Sequence, residues 1–222
     1  RMSLALLQQL GFLYHLSVMV APTLSSLSSL WEFCSILPEG GMLEHIHIIK
    51  VLLMNSNFRM IVAGGGTGGH FFPALAICKS LRSQGVKVKY MGSRYGIESN
   101  YFNNKSREVI LLNIRGIQRY FNLDALVKNC LFPWRFMESY LHSWKIITEF
   151  KPHVVIGTGG YSSGLPLLAA IHKGVKTVIQ EQNSFPGMTT RKLGPKVNKI
   201  CIAFEDARDH FKKKTLFLQG IL

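Results

Sequence analysis

Acidic residues are scarce in this chain: 12 Asp and Glu stand against 26 Lys and Arg in 222 residues, a formal net charge of +14. That imbalance favours an anionic partner, nucleic acid or an anionic membrane surface. The basic residues are scattered, however, and Lys212-Lys213-Lys214 is their tight cluster, so a solvated basic surface fits the same count. Cysteine is sparse too. Cys34, Cys78, Cys130 and Cys201 form no Cys-x-x-Cys pair and no metal-ligand spacing, which argues against a metal knuckle or disulfide framework and for reduced thiols in a cytosolic protein. A clean hydrophobic run is missing as well. Leu4 to Leu24 is interrupted by Gln8-Gln9, His15 and Pro22, too broken for a membrane span and without the charged head and cleavage pattern of a signal peptide. The phosphate-loop ending Gly-Lys-Ser/Thr is also absent.

What is present is 47% hydrophobic and 17% charged, a globular composition long enough for one good-sized domain plus an appendage. Residues 1–58 differ from the rest. They begin at Arg1, break at Ser25 to Ser29 and turn apolar again from Glu44 to Met54. They are expected to be translated upstream sequence with Met54 or Met60 as the natural start; a membrane-associating extension is the functional alternative. From Arg59 the pattern is regular. Strand-like runs are Met60–Ala63, Val86–Met91, Glu108–Leu112, His153–Ile156, Thr177–Gln180 and Lys199–Ile202, with helix-like runs Pro73–Ser83, Leu123–Phe150, Leu165–His172 and Gly187–Leu193 between them. The alternation predicts an α/β fold, a Rossmann-like parallel sheet with helices on both faces. Pro133 should kink or split the long helical stretch. Ligands on such sheets bind beyond the carboxyl ends of the strands, where the glycine-rich loops fall.

The first of these loops is Gly64-Gly65-Gly66-Thr67-Gly68-Gly69-His70. It lets a ligand approach bare backbone and aims N–H groups at an anion, with a histidine at its mouth that can accept a proton. Gly64, Gly66 and Gly69 also satisfy G-x-G-x-x-G, but the second strand ends Tyr90-Met91-Gly92-Ser93-Arg94 without the acid that holds an NAD ribose. Ser93 and Arg94 would suit a ribose phosphate instead, which keeps an NADP-dependent oxidoreductase open. The second loop, Gly157 to Gly164, repeats strand, glycine turn and helix; tight packing alone is the other reading. The third, Gln180-Glu181-Gln182-Asn183, offers amide and acid side chains suited to sugar hydroxyls, with helix capping by Asn183 or Ser184 as the alternative.

Together the stretches GGGTGGHFFPALAI, VVIGTGGYSSGLP and EQNSFPGMTTRKL resemble, in order and interval, those of the MurG family, glycosyltransferases of family 28. Its members transfer N-acetylglucosamine from UDP-N-acetylglucosamine to lipid-linked muramyl-pentapeptide, lipid I to lipid II, in peptidoglycan synthesis. The resemblance covers residues 59–218. It implies the amino-terminal, acceptor-binding half of a GT-B enzyme that uses no metal or other cofactor and works as a peripheral protein on the cytoplasmic face of the bacterial plasma membrane. By motif, Thr67, Gly68 and Gly69 would touch the donor and the acceptor diphosphate, and His70 would be the general base. Gly160, Tyr161, Ser162 and Ser163 would lie on the acceptor's phosphate side. Asn183 would contact the donor sugar, with Glu181 and Gln182 beside it.

The chain departs from that family at Gln180, where histidine is usual, and at Thr190, where asparagine is frequent. It reads Gln219-Gly220-Ile221-Leu222 where the family has a Gly-Asn-Pro-Val-Arg linker. The expectation is a truncated chain without its donor domain, inactive alone. A membrane patch is expected in Leu126 to Phe136, with Phe132, Trp134 and Arg135 on anionic lipid; a core-facing helix stripe has the same composition. A non-catalytic, membrane-bound binding module is a further alternative. Nucleic-acid binding rests on charge alone and is not expected.

Overall fold

Short, β-branched runs separated by helical ones can bury their apolar side chains only by stacking side by side under the helices. The computed structural model describes residues 57–102, 107–116 and 130–211, and the backbone of 216–218. Seven strands form one sheet: β1 (Arg59–Ala63), β2 (Lys87–Ser93), β3 (Val109–Leu112), β4 (Val154–Gly157), β5 (Lys176–Glu181), β6 (Lys199–Ile202) and β7 (Leu216–Leu218), in the order β3-β2-β1-β4-β5-β6-β7. All neighbours are parallel. The helices are α1 (Gly68–Ser83), α2 (Ile97–Tyr101), α3 (Phe132–Phe150), α4 (Gly160–His172) and α5 (Met188–Leu193).

The α/β expectation is met, and the strand alternation explains how. Met60 and Val62 point to one face, where they join Tyr90, Ile156, Val178 and the α1 side chains Phe71, Ala74, Cys78 and Leu81. Ile61 and Ala63 point to the other, packed with Met91, Val155, Ile179, Ile147 of α3 and Leu165, Leu167 and Ala170 of α4. Each buried aliphatic side chain contributes about 1.5–3 kcal/mol. Burial also pushes the thiols of Cys78 and Cys201 up to about 12, so both stay protonated and inert. Cys130 is exposed, and Cys34 lies outside the described residues.

Strand order reverses between β1 and β4, which are neighbours in space although β2 and β3 separate them in sequence. Their carboxyl ends are level, with Ala63 opposite Gly157. The first two glycine loops therefore emerge side by side at the switch point, the position from which such sheets bind ligands.

Several expectations are corrected. Pro133 neither kinks nor splits a helix, because α3 starts at Phe132 and the proline occupies its first turn, where no intrahelical N–H bond is lost. Residues 123–129 of the expected helix lie outside the described residues, as do 1–56, Lys212 to Lys214 and 219–222. Helices α1 and α4 begin earlier than expected, inside the glycine loops, with Pro73 and Pro166 within them. The short strand β7 was not expected. Phe58, assigned to the leader, is only 2% exposed and stacks on His153 at 4.4 Å between ring centroids, so the domain begins at or before it. Phe58→Ala should lower unfolding free energy in urea by about 3–5 kcal/mol, whereas Asn57→Ala, at an exposed position, should change it by under about 0.5 kcal/mol.

Candidate active site

The glycine loops after β1 and β4 interlock. Thr158 donates its N–H to Ala63 O at 2.9 Å and its hydroxyl to His70 O at 2.7 Å. A Cβ on Gly64 would come within 1.9 Å of Thr158 Oγ1. Gly159 and Gly160 both have positive φ, and added Cβ atoms would strike His70 Nδ1 at 2.7 Å and Gly65 O at 2.4 Å. A Cβ on Gly66 would meet the Tyr161 ring at 2.7 Å. The space beside these glycines is already filled by the other loop. This corrects the expectation that the whole first loop offers bare backbone to a ligand. Open space remains at Gly69, where an added Cβ meets nothing within 4 Å.

Interlocking fixes His70. Its Nδ1 lies 3.0 Å from Thr158 O, a carbonyl that can only accept, so the neutral ring carries its proton on Nδ1 and leaves the Nε2 lone pair free. Gln182 Nε2 also contacts Nδ1, and the two ends of a carboxamide are interchangeable by a turn about its last bond. With its oxygen turned to the ring it accepts from the same N–H, which gives the otherwise unpartnered Gln182 Oε1 a donor. Nε2 has no hydrogen-bond partner among the described residues and is available to a ligand.

Beside His70 lies the start of α1. Thr67 is its N-cap but makes no side-chain capping bond. Thr67 and Gly69 are exposed, and the N–H groups of Gly68 and Gly69 find no acceptor among the described residues. Unpaired amides at a helix start attract an anion. Gly160 adjoins the His70 ring, Tyr161 lies against Gly66 and Gln182 touches His70, which gathers these residues around the start of α1. Glu181 and Asn183 sit in the neighbouring loop, where Glu181 is buried and accepts from Asn183 N (3.1 Å) and Nδ2 (2.7 Å). Asn183 is exposed. The Glu181 Oε2 and Gln180 Oε1 atoms are buried without partners. Ser162 and Ser163 are buried in the first turn of α4. Ser163 Oγ donates to Gly160 O at 3.0 Å and so shapes the helix start, whereas Ser162 Oγ is buried without a partner among the described residues; neither is at the open surface. Tyr161 is half-buried, and burial raises its hydroxyl above the ordinary value.

Ser93 is not open to a ribose phosphate. Ser93 is fully buried and donates Oγ–H to Ile114 O at 2.6 Å, while Arg94 Nε donates to Leu111 O at 3.1 Å. Glu98 was missed in the sequence. It is 0% exposed, and its carboxylate accepts from Gly66 N–H (3.0 Å to either oxygen) and Ser93 N–H (2.7 Å). Its trace is the pair Gly92 and Gly96, where Cβ atoms would collide with Glu98 at 2.9 and 2.1 Å.

The expected membrane patch is partly redrawn. Trp134 is 72% exposed, but Phe132 packs against the core, and the Arg135 guanidinium lies 5.5 Å from the Tyr95 ring centroid. Arg115 lies over the same ring at 5.3 Å. Leu131, Trp134, Met137, Leu141 and Trp144 instead form an exposed stripe along α3. Residues 126–129 lie outside the described residues. No helix among the described residues is long and apolar enough to cross a membrane.

The model for the glycosyltransferase family 28 N-terminal domain matches residues 60–202, which span β1 to β6 and every loop of this site. The chain belongs to glycosyltransferase family 28. Two family 28 relatives carry the name UDP-N-acetylglucosamine--N-acetylmuramyl-(pentapeptide) pyrophosphoryl-undecaprenol N-acetylglucosamine transferase. The Flavobacterium psychrophilum protein is 41% identical over 165 residues, covering 73% of this chain and 44% of its own length. The Christiangramia forsetii protein is 41% identical over 169 residues, covering 75% and 45%. The crystal structure of Acinetobacter baumannii MurG superposes with a TM-score of 0.59 at 27% identity, over 72% of this chain and 44% of that one. The chain thus spans a little under half the length of these family 28 relatives. Because Gly64 is locked against Thr158 and Gly69 is open, Gly64→Ala should destabilise the domain by about 1–3 kcal/mol, while Gly69→Ala should stay within about 0.5 kcal/mol; equal urea midpoints would contradict the interlock.

Proposed function

We propose that this domain holds the lipid-linked muramyl-pentapeptide acceptor and contributes the general base for transfer of N-acetylglucosamine from UDP-N-acetylglucosamine. The observation that carries the reading is His70, whose Nδ1 lies against the Thr158 carbonyl and leaves Nε2 unpartnered, next in sequence to the free amides of Gly68 and Gly69. The family's resemblance in all three loops, and the names of the relatives, supply the substrates.

In this reaction the acceptor hydroxyl oxygen forms a bond to the anomeric carbon as the bond from that carbon to UDP breaks. The configuration inverts, UDP leaves with the bonding electron pair, and the hydroxyl proton passes to His70 Nε2. A positioned base of this kind contributes about 10²–10⁴-fold. The N–H groups of Gly68 and Gly69 stabilise a diphosphate at the helix start. Gln182 and Asn183, which open the loop after β5, complete the sugar side, and Glu181 orients Asn183 through its two hydrogen bonds.

The acceptor's hydrocarbon tail requires a surface at which lipid and site meet. The α3 stripe of Leu131, Trp134, Leu141 and Trp144 is exposed, with Arg135 close by, a pairing of apolar and cationic groups suited to an anionic bilayer interface. On this reading the protein works as a peripheral protein at the cytoplasmic face of the plasma membrane. Its excess of basic residues is then a membrane property and needs no nucleic acid.

Mixing the chain with the carboxyl-terminal half of a family 28 relative, then supplying UDP-N-acetylglucosamine and a lipid-linked acceptor, should yield disaccharide product. Acceptor binding without transfer would leave a binding module. His70→Ala should cut turnover by about 10²–10⁴-fold and leave acceptor affinity within about twofold; near-normal turnover removes His70 from the base role. Trp134→Ser combined with Leu141→Ser should abolish co-sedimentation with anionic liposomes while the melting temperature holds. Undiminished binding would reject the stripe.

A further inference from the structure

The second glycine of a G-x-G-x-x-G turn is the one whose bare backbone lets a dinucleotide pyrophosphate approach, and in this chain that glycine is Gly66. It is occupied on two sides. Tyr161 stands where a Cβ would be, and the amide N–H is bound by Glu98, which also takes Ser93 N–H. Gly65 and Gly66 hold φ of +145° and +88°, conformations that glycine adopts about as readily as negative φ and so does not by itself enforce. The turn therefore needs an interaction to hold its shape. The carboxylate supplies it from beneath: a Cβ on Gly65 would lie 2.3 Å from Glu98 Oε1, and one on Gly96 2.1 Å from Oε2.

We propose that Glu98 is a resident anion of the first glycine turn, a positioning residue that fills the amide pocket at Gly66 and Ser93 and so excludes an external phosphate from it. A diphosphate-bearing ligand is thereby directed to the amides of Gly68 and Gly69, beside His70. The same carboxylate makes the turn selective: a sequence that satisfies the dinucleotide fingerprint rejects the dinucleotide because its pyrophosphate position is already negative. Charge repulsion and occupied donors act together, and neither depends on what the acceptor is.

Amide NMR of the isotope-labelled chain tests this with inorganic pyrophosphate and with NADPH as probes. In the wild type, pyrophosphate should move the Gly68 and Gly69 amides and leave Gly66 and Ser93 unmoved, and NADPH should leave Gly66 unmoved as well. Glu98→Ala should open the pocket. Acetate or pyrophosphate should then shift Gly66 and Ser93, with pyrophosphate affinity at least about tenfold tighter than in the wild type, the scale of one charge-assisted hydrogen bond. Acetate should also restore part of the lost melting temperature, a rescue that a purely space-filling side chain would not show. Glu98→Ser likewise removes the carboxylate and empties the pocket, and serves if the alanine variant does not fold; its Gly66 amide should respond to pyrophosphate where the wild type's does not. A wild-type Gly66 amide that titrates with pyrophosphate or NADPH overturns the proposal, with or without folded variants. So does a folded variant whose Gly66 and Ser93 amides ignore added anions. No readout uses a lipid-linked acceptor or measures transfer, so failure here leaves the proposed function standing, and the reverse.

Discussion

Thr158 and His70 exchange hydrogen bonds across the gap between two loops, hydroxyl to carbonyl in one direction and ring N–H to carbonyl in the other. Most of the site hangs on this exchange. It holds the imidazole in the tautomer that leaves Nε2 free. It also brings the second loop so close to the first that Gly159 and Gly160 cannot carry side chains. Tyr161 is set against Gly66 by the same approach, and Gln182 closes over the ring from the third loop. Loosening the pair would cost more than two hydrogen bonds of about 1 kcal/mol each, because the packing of both loops depends on the same distance.

The glycines acquire a different meaning in this light. In the chain they look like openings, positions kept bare for a ligand. In the fold several of them are joints between protein parts, and in the first turn of α1 Gly69 has open space beside it. Glu98 sharpens the contrast, since an acid in so basic a chain lies wholly inside a turn that was read as a cradle for external anions. Within a few residues, Gly66 N–H is taken by that acid while the Gly68 and Gly69 N–H groups have no acceptor among the described residues.

Much of the architecture was legible because the period of the pattern is physical. Six of the seven strands, and the switch point they create, follow from apolar runs such as Met60–Ala63 and Val154–Ile156 with glycine at their ends. Helix starts were misplaced because Gly68, Gly69 and Gly160 weigh against helix by intrinsic preference, although the first turn has no intrahelical N–H bonds to lose. Phe58 was assigned to the leader because one aromatic residue after a polar stretch shows no period, and only its stacking on His153 reveals the domain edge. Glu98 could not be read from its neighbours at all. Its burial depends on amides donated from two other segments. For the α3 stripe, composition named the helix but not which face the core would claim, and Phe132 went to the core while Trp134 stayed outside.

The sheet order has a consequence for how the site comes into being. Thr158, which fixes His70, lies 88 residues further along the chain, and β1 acquires one of its two neighbours only when β4 arrives. Loop closure over such a distance is slow and its entropy must be overcome before any contact repays it. During synthesis the first glycine turn can fold onto Glu98, which follows it closely in sequence, but its histidine stays unset until the strand with Gly157 has been made and inserted. Completion of the sheet's centre and fixing of the His70 ring are therefore one event.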